Sequence, residues 1–122
     1  MNRHLAASAI VIAAILGWAT LHVFAAPKGD AITVTGEIVD LHCYLDHEAK
    51  GEGHKTCGIT CAKAGNPIGL LSDKGELYLL LGEKKHSTAN DQLIEKMAST
   101  VTITGTAVKK GGLQAIYFTA VK

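Results

Sequence analysis

Cysteine and histidine offer this chain its richest chemistry, and they are unevenly placed. All three cysteines, Cys43, Cys57 and Cys61, fall in the stretch from His42 to Cys61, together with His42, His47 and His54. Thiolate sulfur and imidazole nitrogen are the donors that hold zinc and copper(I), zinc with four ligands at the corners of a tetrahedron. A helix from His54 to Ala64, ended by Gly65, is expected to set His54, Cys57 and Cys61 at i, i+3 and i+7 on one face. Cys43, at the end of the preceding strand, then supplies a fourth donor and completes a Cys3His set. His47 or His42 can substitute in that set or join it.

Spacing removes several other chemistries. Cys57 and Cys61 are separated by three residues and followed by Ala62, so the Cys-x-x-Cys-His signature of covalent haem is missing. An iron–sulfur cluster would require a fourth thiolate. In an oxidising compartment Cys43 could bridge to Cys57 or Cys61 and staple the domain, but an odd thiol would be left over, whereas one ion accounts for all three. A thiol oxidoreductase is a further alternative, with His54 as base one helical turn from Cys57, although no Cys-x-x-Cys pair in a βαβ setting is present. Serine elbows, glycine-rich phosphate loops and zinc-protease helices are also missing from the sequence. The expectation is therefore a non-enzymatic metal-binding module for copper or zinc, serving in metal delivery or as an accessory subunit of a membrane-associated assembly. A disulfide-held structural interaction subunit is the alternative of a different class. Asp46, Glu48, Glu52 and His86 read as solvated loop residues.

Charge points away from nucleic acid. The chain holds 12 Lys and Arg against 11 Asp and Glu, and Arg3 is the sole arginine. Residues 27–122 are thus neutral with histidine uncharged, and Tyr44, Tyr78, Tyr117 and Phe118 are scattered. A phosphate-binding face requires clustered cations and spaced stacking aromatics.

The elements that must position the cluster read mainly as strands. Ile32, Val34 and Ile38 alternate with Thr33, Thr35 and Glu37, the period of a half-buried strand, with a bend at Gly36. Val101 to Val108 repeats the pattern of Ile32 to Val39 nearly position for position, with Gly105 matching Gly36. Ile68 to Leu71 and Leu77 to Leu81 flank a turn from Ser72 to Glu76 and form a hairpin. Gly111-Gly112 turns a second hairpin into Leu113 to Val121. A short helix is expected from Asn90 to Ser99, with Leu93, Ile94 and Met97 inward and Thr88 or Asn90 as cap. Strand, insert, hairpin, helix, hairpin is the order of a five-stranded OB-fold-like barrel, with the Cys/His insert spanning Asp40 to Pro67 after strand one.

Ahead of this domain, Leu5 to Ala26 contains no Asp, Glu, Lys or Arg and follows Arg3 and His4. The reading is a signal peptide cut near Ala25-Ala26 or an uncleaved membrane anchor, with Trp18 suited to an interface and Pro27 ending the helix. Residues 27–122 are then expected in the periplasm or on the extracytoplasmic face of the membrane, with the membrane itself as a partner if the segment stays.

The run Gly36-x-x-x-Asp40-x-x-Cys43-Tyr44, then His54-x-x-Cys57-x-x-x-Cys61-x-x-x-Gly65-x-Pro67-x-Gly69-Leu70, resembles a family of small exported bacterial proteins. The resemblance extends from Val34 to the C-terminus. It implies a compact β-barrel with a Cys/His insert, highlights the same three cysteines and His54, and lends no reaction.

Overall fold

The structure is a computed structural model that describes residues 28–84 and 87–122. The apolar run and His86 lie outside the described residues.

Alternating Thr and apolar side chains build the first strand, β1 (Asp30–Asp40), whose inner positions become fully buried toward its end. β2 (Ile68–Ser72) and β3 (Leu77–Gly82) follow the insert as an antiparallel hairpin. The turn between them is held by Ser72, whose Oγ accepts from the Glu76 amide at 3.0 Å, and by Gly75 at φ 81°. β4 (Thr100–Lys110) and β5 (Leu113–Val121) form the second hairpin. Its two loop residues, Gly111 and Gly112, have φ of 57° and 83°, the left-handed pair that a two-residue turn of this hand requires.

The sheet closes in the order β1-β2-β3-β5-β4, with β4 returning to β1. Only β3 and β5 run parallel, Leu79 opposite Ala115 through Gly82 opposite Phe118. Closure depends on β1 serving two neighbours: Asp30 to Glu37 pair with β4, and Gly36 to Asp40 pair with β2. Gly36 and Glu37 belong to both ladders, so the strand must bend there. A Cβ on Gly36 would strike the Leu71 carbonyl oxygen, and one on Gly105 the Tyr117 carbonyl oxygen, beside a register shift between Thr104 and Gly105. The two matching segments read in the sequence are neighbours, antiparallel, with Gly36 opposite Val101 and Ile32 opposite Gly105. Their outward threonines meet, Thr35 and Thr102 at 2.8 Å and Thr33 and Thr104 at 3.3 Å between hydroxyls. This is the expected OB-type barrel.

Ile38, Leu70, Ile103 and Ile116 fill the interior with no exposure. One end is plugged by Leu93 and Met97, 0% and 1% exposed. They come from the β3–β4 connection, where the expected single helix is shorter: α3 is a single turn, labelled here after two earlier helices, α1 (Leu41–His47) and α2 (Lys55–Lys63). α3 spans Asn90–Leu93 and passes directly into a 3-10 turn, Ile94–Lys96. Its cap position is Ala89, which has no capping side chain, not Thr88 or Asn90. The Asn90 Nδ2 donates to the carbonyls of Ala62 and Asn66, both at 2.8 Å, tying the insert to the plug.

Candidate metal centre

The insert folds as two helices across one end of β1. Asp40, fully buried, ends the strand and caps α1, its carboxylate accepting from the amides of His42 at 3.4 Å and Cys43 at 3.0 Å. Cys43 therefore lies in the first turn of a helix; the expectation that it ends the strand is corrected. The helix stops at Glu48, which takes the left-handed conformation, φ 56°. The chain turns at Gly51, whose amide is held by the Glu37 carboxylate, and rises through a 3-10 turn, Glu52–His54, into α2. His54 precedes α2 rather than opening it.

α2 touches the barrel through two buried small residues and the half-buried Ile59. Gly58 and Ala62, four apart, are its buried positions, and Gly58 lies where a Cβ would come within 2.9 Å of Met97 Cγ and Sδ. Cys57 and Cys61, also four apart, occupy the adjoining stripe and face α1 across a short gap. The last turn closes with Asn66 N to Cys61 O at 3.1 Å and Gly65 at φ 97°, a glycine-terminated helix end. Leu41 N to Pro67 O at 3.0 Å seals the base of the insert.

Two overlapping groups of donor atoms result. Cys43 Sγ, a ring nitrogen of His54 and Cys57 Sγ lie within 4.8 Å of one another, and so do an Asp40 carboxylate oxygen, Cys43 Sγ and Cys61 Sγ. Cys43 is common to both. All three cysteines are free, with Cys43 and Cys61 sulfurs 3.9 Å apart. A disulfide needs about 2.05 Å. Two thiolates on one tetrahedral zinc, each at ~2.3 Å, stand about 3.8 Å apart. His54 adds a second sign: its Nε2 is buried and has no hydrogen-bond partner. Such an orphan costs about 1–3 kcal/mol unless something satisfies it, and a coordinate bond does so.

Two of the thiols, Cys43 and Cys61, are shifted toward the protonated form. The Cys43 thiol is pushed up to about 12 because its hydrogen bond to Asp40 keeps the proton, with burial and then Cys61 adding to the effect. Burial also raises Cys61, against a smaller lowering by its hydrogen bond with Cys43. A nucleophilic cysteine requires the opposite shift, which counts against an oxidoreductase working through either residue in the ion-free chain. An ion can supply what the protein withholds, since metal binding expels thiol protons.

Of the six residues singled out in the sequence, the fold gathers Cys43, His54, Cys57 and Cys61. His47 and His42 stand outside both donor groups. His47 is exposed, with its ring edge-on to His54 at 6.1 Å between centroids and its Nδ1 3.0 Å from the Asp46 carboxylate. His42 is exposed and lines an apolar recess with Leu41, Leu45 and Leu113. In the sequence Asp40 figures as the first residue of the insert and in the motif that carries the family resemblance, outside the ligand set. Its signal was present, an aspartate immediately before Leu41-His42-Cys43, the composition of a helix start.

No family model, no curated protein and no solved structure matches the chain. The small closed five-stranded barrel is the part of the family resemblance that the fold bears out. The Cys/His/Asp cluster can hold a metal ion.

Proposed function

We propose that the chain is a metal-binding module whose resident ion is held by Cys43, His54, Cys57 and Cys61. The observation that carries the reading is the orphaned, buried Nε2 of His54 in a residue that shares a 4.8 Å donor group with Cys43 and Cys57. Three thiolates and an imidazole suit zinc, and copper(I) by softness. Asp40 supports the set from behind, since its carboxylate is already engaged by two α1 amides and the Cys43 thiol. Within each donor group, closing pairs from up to 4.8 Å to tetrahedral contact requires movements of about 1 Å, and Cys43, common to both groups, is where Cys61 would join His54 and Cys57 on one ion.

The apolar run at Leu5 to Ala26 supports an extracytoplasmic or membrane-attached location, in which the module handles metal for a membrane-associated assembly. The deciding experiment is elemental analysis of the purified chain alongside a count of reactive thiols. About one zinc or copper per chain, with three thiols shielded until the ion is removed by acid or chelator, supports the reading. Cobalt(II) loading should then give the visible bands of a tetrahedral thiolate site. A chain that retains no ion and shows three reactive thiols from the outset overturns it.

A further inference from the structure

The cluster sets the Cys43 and Cys61 sulfurs 3.9 Å apart, with the Cys57 sulfur also within 4.8 Å of Cys43 but outside the donor group that holds Cys61. A bridge between Cys43 and Cys61 requires their gap to close to about 2.05 Å. Cys43 is the donor shared by both groups, so its removal breaks them both. Cys61 is half-buried and reachable by a small molecule; Cys43 is buried at 8% exposure and reachable only by a neighbouring sulfur. Cys57 is exposed, and belongs to the group that lacks Cys61.

We propose a further activity that rests on the metal reading: the loaded cluster reacts with small disulfides, releasing its ion as a Cys43–Cys61 bridge forms. Cys61 thiolate attacks one sulfur of the small disulfide, forming a mixed disulfide and expelling the first small thiolate. Cys43 thiolate then attacks the Cys61 sulfur, forming the bridge and expelling the second. Two electrons pass from the two cysteines to the small disulfide, which leaves as two thiols once protonated. The ion loses two of four donors, including the shared one, and dissociates. Cys57 keeps its thiol throughout. The odd cysteine count, awkward for a purely structural disulfide, is what a site alternating between three-thiolate and one-thiolate states requires.

The test uses the full chain in detergent, loaded with zinc, and dithiodipyridine as the small disulfide, whose thiol product is coloured. Retention of zinc before any disulfide is added tests the metal reading by itself. With that established, the expected result is loss of the whole zinc equivalent, two coloured thiols per zinc released, one remaining alkylatable cysteine at Cys57, and a mapped Cys43–Cys61 link. A dithiol reductant with zinc should restore the starting state. The proposal is overturned if zinc stays bound while the disulfide is in excess, if the mapped link involves Cys57 or a second chain, or if the small thiol stays attached.

Discussion

The Cys43 amide donates to Oδ2 of Asp40 at 3.0 Å, and the Cys43 thiol, keeping its proton, donates a hydrogen bond to the same carboxylate. One buried acid thus starts the helix that carries Cys43 and sets the protonation of its thiol. Because Cys43 is raised from 9.0 to about 12, ion and proton compete for it across the neutral range, and loading should strengthen as pH rises. Asp40→Asn keeps a competent cap but removes the charge that retains the proton. Its half-loading pH should therefore move down, measured by metal titration at a series of pH values. An unchanged midpoint would show that Asp40 does not govern the thiol.

The same shift has a consequence for the ion-free fold. A thiol pKa raised on folding favours the protonated folded state, so its stabilising effect is complete below 9.0 and is lost as pH climbs toward 12. Urea midpoints of the chelated protein should fall across that alkaline window, and Cys43→Ala should flatten the fall. Equal slopes in both proteins would mean that another group is responsible.

The barrel was largely legible before any coordinates, and the insert was not. Alternating Thr and apolar residues, with the glycine shared by Ile32–Val39 and Val101–Val108, announced two bent strands, because a barrel strand must be apolar inward and bend where it changes partners. α1 escaped notice since Leu41 and Cys43 are its buried residues, an i, i+2 spacing that mimics a continuing strand. α2 gives little apolar stripe either; it packs through Gly58 and Ala62, small residues that carry little periodic signal, with Ile59 its one large apolar contact to the core. The cysteine spacing found it instead, and placed His54 one residue too far inside.

Gly36 and Gly105 allow strands to pass within backbone contact, and neither site has room for a side chain. A Cβ on either would meet a carbonyl oxygen that is fixed by the sheet. Gly36→Val and Gly105→Val should each cost about 1–3 kcal/mol, read as a melting temperature lowered by several degrees or more. Wild-type melting in both variants would remove the two-ladder account of β1.

Gly58 is the hinge between cluster and core. Met97, 1% exposed, lies against it, so a longer side chain must lift α2 and carry Cys57 and Cys61 away from Cys43. Gly58→Leu should lower stability by about 1–3 kcal/mol and weaken metal binding together. Gly58→Ala gains helix propensity of about 1 kcal/mol while crowding Met97, so its stability should change less. A Gly58→Leu chain with undiminished affinity would show that the helix seat does not set the ligand geometry.

His54 separates a metal centre from a cluster of thiols that merely pack together. As a ligand it contributes like a cysteine, and His54→Ala should lower affinity by more than the ~10–100-fold that loss of a supporting residue brings. Binding energy of a structural ion is folding energy, on the order of 10 kcal/mol in small zinc domains, so removing the ion should loosen whatever the ion organises. Here that is residues 40–67, since the interior of the barrel is filled independently by Ile38, Leu70, Ile103 and Ile116. Amide hydrogen exchange should show α1 and α2 losing protection when a strong chelator is added without reductant, while β1 to β5 keep theirs. Three thiols should become titratable at the same chelator concentration, and His54→Ala should show part of the loosening before chelator is added. If chelator changes neither exchange nor thiol count, and one thiol alone reacts before reduction, the cluster is held by a sulfur–sulfur bond and His54 is a bystander.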